Sequence, residues 1–151
     1  MSELRSLILP EAVFTRLPAA TRKQAIQMLC APLARAARLD AQAVCEAVLR
    51  RERLGPSGLG EGVALPHAQI AGLDRPLAAF GRLEQPADFR ALDGRPADLV
   101  FLLISPGGPG HLKALAALAR FARRAPAREA LRAAPDSEAL AELLALDRAA
   151  A

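Results

Sequence analysis

Residues 99–111 read LVFLLISPGGPGH and hold an apolar run, a chain break and the start of a new segment. The six residues 99–104 are all apolar, which is typical of a strand that is covered on both faces of a sheet. Glycines and prolines between 105 and 110 end this strand, and His111 lies in the first turn of the predicted helix that follows. Apolar residues recur on one face of that helix at Leu112, Leu115, Ala119 and Ala122. The stretch therefore predicts a central strand, a tight loop and an amphipathic helix.

Two helices are predicted ahead of this strand. Thr21 and Gln24 have the spacing of a capping box. The apolar residues that follow at helical spacing are Ile26, Leu29, Cys30 and Leu33. Asp40 can cap a second helix, which a Gly- and Pro-rich stretch ends from residue 55. Its inner face is predicted to contain Ala41, Val44, Cys45 and Val48.

Two further helices follow the central segment. Pro126 starts one of them, with Ala127, Ala130, Leu131 and Ala134 facing inward. Asp136 can cap the last helix, which carries Leu140, Leu143 and Leu144.

Strands at residues 62–65 and 77–83 are predicted to join the central strand, which the Asp93-Gly94 turn precedes. Because residues 83–99 carry no helical pattern, they do not form a parallel crossover, and the sheet is predicted to be mixed. The fold class is therefore α/β: a single domain over residues 1–151, with a core of about 5–147 and a mixed β-sheet flanked by helices on both faces.

The composition restricts the class of protein. Of the 151 residues, 52% are hydrophobic and 24% are charged, which is typical of a globular domain. The net charge of +4 is spread through the predicted helices, which argues against a nucleic-acid surface and is compatible with an acidic partner or an anionic substrate. A signal-peptide core and an apolar run of transmembrane length are both missing, which predicts a cytoplasmic protein without membrane insertion. Cys30 and Cys45 form no CxxC pair and are predicted to be small buried thiols.

The chain has two histidines, so a mechanism that uses histidine has only two possible positions. His67 follows a predicted strand and Pro66, at an edge where α/β folds often carry functional side chains. Pro66 restricts the backbone around it. Imidazole is a nucleophile at neutral pH, and the glycines at 58, 60 and 62 would let an anion approach the backbone. An ordinary hydrogen-bonded loop histidine is the alternative.

Three more residues are candidates for binding an anion. His111 lies at a helix N-terminus, where N–H groups and the helix dipole favour negative charge. Arg51 precedes the Gly-rich stretch and could pair with a phosphoryl group, although a solvated helix charge is the alternative. Ser57 could offer its hydroxyl to a phosphate or could simply be a turn residue.

Other site motifs are missing from the chain. SPGGPG lacks the GK[ST] ending of a P-loop and the GxGxxG pattern of a dinucleotide site. Zinc-peptidase, hydrolase-triad and EF-hand patterns do not occur either. No metal site and no cofactor is therefore predicted.

The segment RERLGPSGLGEGVALPH, residues 51–67, resembles the phosphorylation-site motif of the enzyme IIA family of the bacterial phosphotransferase system, of fructose, mannitol and nitrogen-regulatory type. That motif reads approximately R-E-x-x-G-[ST]-x-G-x-G-[IV]-A-[IL]-P-H. The sequence HLKAL at His111 and the run DGRPADLVFLLISP resemble two further landmarks of the family. The opening ILPEAVFTRLPAATRKQAIQML is similar to that of the nitrogen-regulatory members.

The resemblance implies a phosphotransferase component with the family's mixed sheet flanked by helices. His67 would accept a phosphoryl group from a phosphohistidine of an HPr-type carrier, His111 would be the second active-site histidine, and Arg51 would help to neutralise the phosphate. The output would be signalling in nitrogen or carbon regulation. Members usually have Gly after the phosphorylated histidine, whereas this chain has Ala68, which would be strained by about 1 kcal/mol if the position needs a positive φ.

Two other functions remain open. The same histidine could pass its phosphoryl group to an enzyme IIB in sugar transport. The chain could also be an interaction module that binds regulatory target proteins without being phosphorylated. The ring nitrogen that would carry the phosphate remains open as well.

Overall fold

The computed structural model describes residues 3–145, and the short tail at residues 147–151, with the predicted end of the core, lies outside them. Six strands are described: β1 (Ile8–Leu17), β2 (Gly58–Gly60), β3 (Val63–Ala64), β4 (His67–Gln69), β5 (Leu77–Ala87) and β6 (Ala97–Ser105). The helices of this part of the chain are α1 (Glu3–Leu7), α2 (Arg22–Ala37), α3 (Ala41–Leu54), α4 (Pro109–Ala122), α5 (Ala125–Ala133) and α6 (Ser137–Ala145).

The strands form one mixed sheet in the order β1-β5-β6-β3-β2, with β4 also paired to β6. Strand β5 is parallel to β1 and antiparallel to β6, while β3 and β4 run parallel to β6. The antiparallel pairing of β5 with β6 explains why no helix was needed between them. The predicted mixed sheet is confirmed.

Strand β6 is the centre of the core because both of its faces are covered. Leu99, Phe101 and Leu103 pack on one face with α4, α5 and α6. Val100, Leu102 and Ile104 pack on the other with α2 and α3. Successive side chains of a strand point to opposite faces, so a run without polar residues is what this position requires. The structure is thus a single domain with helices on both sides of the sheet.

Side-chain caps begin three of the helices. The Thr21 hydroxyl accepts from Gln24 N at 3.1 Å, but the Gln24 side chain accepts from Ala20 N rather than from Thr21 N, so the predicted capping box closes one residue earlier. Asp40 accepts from Ala43 N at 2.9 Å to begin α3. Asp136 accepts from Ala139 N at 2.8 Å and begins α6. Both predicted Asp caps are confirmed.

Helix α1 and the short strands β2 and β4 were not predicted, and β4 puts His67 in a strand rather than in the expected loop. Three further features differ from the sequence prediction. Strand β1 was not predicted, because Pro10 and Glu11 interrupt its apolar pattern, and an edge strand tolerates both. In α4 the predicted inner residue Leu112 is 69% exposed, because Ala114, Leu118 and Phe121 define the buried face instead. Ala41 is exposed because it lies in the first turn of α3, ahead of the buried stripe.

Every helix within residues 3–145 is too short or too polar to span a lipid bilayer.

Candidate functional site

His67 is the first residue of β4, just after the interruption that separates β3 from β4 in their parallel pairing with β6. Val63 and Ala64 of β3 pair with Leu99 and Val100, and His67 pairs with Leu103 in the same register. Between the two short strands the Pro66 carbonyl still accepts from Leu103 N at 3.0 Å, although Pro66 has no N–H to donate. The rigid central strand therefore holds the half-buried His67 close to the point where the chain turns towards α4.

The ring of His67 is oriented by a main-chain carbonyl. Its Nδ1 lies 2.8 Å from the Leu65 oxygen. Carbonyl groups alternate in direction along a strand, so the Leu65 carbonyl points away from β6 while the next carbonyl accepts from β6. A carbonyl oxygen can only accept a hydrogen bond, so Nδ1 carries the hydrogen and donates it. In the neutral ring the lone pair that can attack an electrophile is therefore on Nε2.

His111 lies in the first turn of α4, as predicted, and its ring centroid is 5.6 Å from that of His67. Its Nδ1 is 2.5 Å from the hydroxyl of Ser105, the last residue of β6. Burial lowers the pKa of His111, and the charges of His67 and Arg51 lower it further. This histidine is therefore held in its neutral form more strongly than a free histidine.

Arg51, the third predicted residue, lies on α3 and contributes to the same pocket as the two histidines. Ala47, Arg51 and Leu54 are four and three residues apart, which puts them on one face of the helix. Val44 and Val48 are buried on another face and anchor the helix to the sheet. The exposed Arg51 guanidinium donates to the Gly55 carbonyl at 3.3 Å, which ties it to the end of its own helix.

These residues line an open pocket of about 250 Å³. Its wall is formed by Ala47, Arg50, Arg51, Leu54, His67, Ala68, Gln69 and His111. Two guanidinium groups belong to this wall, and none of the described residues that form it is a carboxylate. The pocket is suited to a doubly charged anion such as a phosphoryl group, which needs positive charge and N–H donors around it.

Ser57 is not part of this wall. Its N–H donates to the Glu52 carboxylate at 3.1 Å, and its carbonyl accepts from Leu65 N at 3.0 Å. Glu52 is 5% exposed and also pairs with Arg22 at 3.5 Å, so it fixes the loop that follows Arg51. The contribution of Ser57 that can be seen is thus made by its main chain, and a role for its hydroxyl in phosphate binding stays a prediction.

Ala68 has an extended backbone in β4, where it pairs with Ile104 and is 5% exposed. The non-glycine residues with positive φ in the described chain are Arg38, Glu61 and Arg90. The strain that would follow from a positive φ at Ala68 is therefore not present.

Besides Ala47, four residues at the pocket were not predicted from the sequence. Arg50, Leu54 and Gln69 belong to its wall, and Ser105 supports His111 from behind. Ser105 ends the central strand, and the end of a central strand is a recognised place for functional side chains, so this signal was available. The positions of the other three depend on which faces of α3 and β4 point towards the pocket, and the sequence does not show this.

A cluster of three or more His, Cys, Asp or Glu side chains that could hold a metal ion does not occur within residues 3–145.

Comparison with known proteins places the chain in one group. The model of the family described as "Phosphoenolpyruvate-dependent sugar phosphotransferase system, EIIA 2" matches residues 6–146. A nitrogen regulatory protein of Bradyrhizobium diazoefficiens is 43% identical over 150 residues, which is 98% of each chain.

Two solved structures have the same fold. Nitrogen regulatory protein IIA-Ntr from Neisseria meningitidis superposes with a TM-score of 0.87 at 30% identity, covering 95% of this chain and 99% of that one. The mannitol enzyme IIA of Escherichia coli, solved in complex with phosphorylated mannitol enzyme IIB, gives a TM-score of 0.77 at 24% identity, covering 92% and 99%.

Proposed function

The chain belongs to the EIIA 2 family of the phosphoenolpyruvate-dependent sugar phosphotransferase system, and on that premise we propose that it accepts a phosphoryl group on Nε2 of His67. The donor is the phosphohistidine of an HPr-type carrier. The observation that carries this proposal is the hydrogen bond from His67 Nδ1 to the Leu65 oxygen at 2.8 Å, which leaves the Nε2 lone pair free.

The transfer exchanges one P–N bond for another. The Nε2 lone pair of His67 attacks phosphorus in line, the bond from phosphorus to the donor ring nitrogen breaks, and its electron pair returns to the donor ring. His67 Nδ1 keeps its hydrogen bond to the Leu65 oxygen while the ring becomes electron-poor. The protein's work is positioning and neutralisation of charge.

Arg51 and His111 are the groups suited to stabilising the phosphoryl oxygens, Arg51 by its charge and the neutral His111 by a hydrogen bond. Both line the pocket that contains His67. Arg51 offers a guanidinium to the phosphoryl oxygens, and His111 approaches them from the N-terminus of α4, where the helix dipole also favours negative charge.

The rim of the pocket supports docking of a protein rather than of a small molecule alone. Leu54, in the wall of the pocket on α3, is 82% exposed, and Leu112, which follows His111 on α4, is 69% exposed. Exposed leucines beside arginines suit a partner with an apolar patch and acidic side chains around its phosphohistidine.

We infer a regulatory output in nitrogen or carbon metabolism. The relative that is 43% identical over 98% of both chains is a nitrogen regulatory protein, which supports this use of the phosphoryl group. Phosphorylation adds about 1.5 to 2 negative charges at the pocket, which changes which proteins can bind there.

Phosphorylation from phosphoenolpyruvate tests the proposal. The protein is mixed with enzyme I, an HPr-type carrier and phosphoenolpyruvate, and intact mass is followed. His67→Gln should remove an acid-labile adduct, whereas His111→Gln, which removes the only other histidine, should slow its formation and leave it possible. An unlabelled wild type beside a labelled control enzyme IIA would contradict the proposal and favour the interaction module that is not phosphorylated.

A sugar-transport role is the second candidate, and one comparison favours it. The mannitol enzyme IIA with the same fold was solved in complex with phosphorylated enzyme IIB. If the labelled protein passes its phosphoryl group to purified enzyme IIB as fast as a transport enzyme IIA does, the regulatory output is replaced by transport.

A further inference from the structure

Ser105 is a polar residue at the end of an otherwise apolar central strand. It is fully buried at 0% exposure, and it pairs with Gln69 two residues beyond the pairing of His67 with Leu103. Strand β6 ends here, and the chain turns through two glycines of positive φ into α4. A buried hydroxyl is unfavourable unless it is hydrogen-bonded, so its partners matter.

The Ser105 hydroxyl oxygen contacts two nitrogen atoms. Gly107 N donates to it at 3.3 Å, and His111 Nδ1 lies 2.5 Å away. A main-chain N–H can only donate, so it cannot take the hydroxyl hydrogen of Ser105. The Nδ1 atom of a neutral imidazole can accept it. The contact that satisfies all three groups therefore has the hydroxyl donating to His111 while it accepts from Gly107.

We propose that Ser105 is a positioning residue that donates its hydroxyl hydrogen to His111 Nδ1 and so keeps the hydrogen of that ring on Nε2. This rests on the proposed function, because the Nε2–H group of His111 then faces the site of the phosphoryl group on His67. The Ser105 hydroxyl contacts the ring at Nδ1, and His111 belongs to the wall of the pocket, so Nε2 on the other side of the ring is the nitrogen that remains available to the pocket.

The two histidines are thereby held in opposite tautomers by two different hydrogen-bond partners, a carbonyl and a hydroxyl. His67 gives its Nδ1 hydrogen to a carbonyl, which leaves Nε2 as a nucleophile. His111 accepts a hydrogen bond at Nδ1 from the Ser105 hydroxyl, which leaves its own hydrogen on Nε2 as a donor. Ser105 thus helps to decide which histidine accepts the phosphoryl group, since a protonated Nε2 has no lone pair to attack with.

The tautomer of His111 can be measured without any phosphorylation. Long-range ¹H–¹⁵N spectra of the imidazole groups at a pH above their titration distinguish Nδ1–H from Nε2–H. We expect Nε2–H for His111 and Nδ1–H for His67 in the wild-type protein. An Nδ1–H signal for His111 overturns the proposal whatever the kinetics show, and this readout stands even if the chain accepts no phosphate.

Variants then separate positioning from packing. Ser105→Ala should mix the tautomers of His111 and slow phosphorylation of His67 roughly three- to tenfold, the loss expected for one buried hydrogen bond. Ser105→Thr keeps the hydroxyl and should restore the wild-type spectrum. Cys30→Ala is the matched control, because it also removes one heavy atom from a buried side chain, on α2. Equal rates for the Ser105→Ala and Cys30→Ala variants would overturn the proposal.

Discussion

Replacing Arg82 by Met should lower the unfolding temperature, Tm, of the protein by several degrees. Arg82 lies on β5 and is half-buried between β1 and the end of α5. Its Nε donates to the Thr15 carbonyl at 3.0 Å. Its Nη1 donates to the carbonyls of Leu131, Arg132 and Ala134 at 2.8, 3.1 and 2.9 Å. These carbonyls are at the C-terminus of α5, where a helix has no main-chain donors left and a cation is favourable.

The expected loss of stability follows from the number of N–H hydrogens that Arg82 donates. Nε carries one and Nη1 carries two, so three N–H groups serve the four carbonyls. A hydrogen bond from a charged donor contributes roughly 1.5–3 kcal/mol, and we take about 1 kcal/mol for each because the side chain is only half-buried. Methionine keeps most of the apolar stem. The loss is then about 3 kcal/mol, which lowers Tm by about 6–12 °C in a domain of this size.

Thermal unfolding followed by far-UV circular dichroism measures this loss. Arg16→Met is the matched control, because Arg16 forms an exposed ion pair with Glu84 at 3.6 Å across the same two strands. An exposed pair of this kind contributes between zero and about 1 kcal/mol. If Arg82→Met lowers Tm no more than Arg16→Met does, the carbonyl cluster does not stabilise the fold and the reasoning is wrong.

Three other changes have defined outcomes. Burial lowers the pKa of His111, so below about pH 6.5 the unfolded chain binds more protons than the folded protein does. The free energy of unfolding should therefore fall as the pH decreases from about 6.5 through the lower pKa of the folded state. His111→Gln should reduce this pH dependence, measured by urea unfolding at several pH values. Gly62→Ala should destabilise by about 2 kcal/mol in urea unfolding, because φ is +78° and the new Cβ would lie 2.9 Å from Asp98 Oδ1; a loss below about 0.5 kcal/mol would contradict this. Leu54→Ser should raise the KM for the carrier about fivefold without lowering Tm, whereas Leu92→Ser, at a leucine that is also exposed but outside the pocket wall, should change neither.

The helices and the central strand could be predicted because their signals are local. The caps at Asp40 and Asp136 and the apolar run of β6 depend on residues a few positions apart. Strand β1 could not be predicted in this way, since its pairing with β5 joins Val13 to Phe80, which lie far apart in the chain. The rotation of α4 was likewise missed, because several alanines left two possible apolar faces and the sheet selected one of them.

At the pocket, local sequence together with the family resemblance singled out His67, His111 and Arg51, which the fold brings together on one wall. Ser57 was also a candidate, and the fold buries it with its main-chain groups hydrogen-bonded to Glu52 and Leu65. A linear pattern records which side chains are available and leaves open which way each of them faces.

The two histidines and the arginine of the pocket could therefore be identified from the sequence, whereas the tautomers of the two imidazole rings could not. That arrangement depends on whether each Nδ1 meets an atom that can only accept, as at Leu65, or one that can also donate, as at Ser105. The Leu65 carbonyl is turned to its histidine by a break in strand pairing, and Ser105 reaches His111 only after the chain has reversed into α4. Both contacts arise from packing, since residue spacing does not encode the direction of a hydrogen bond.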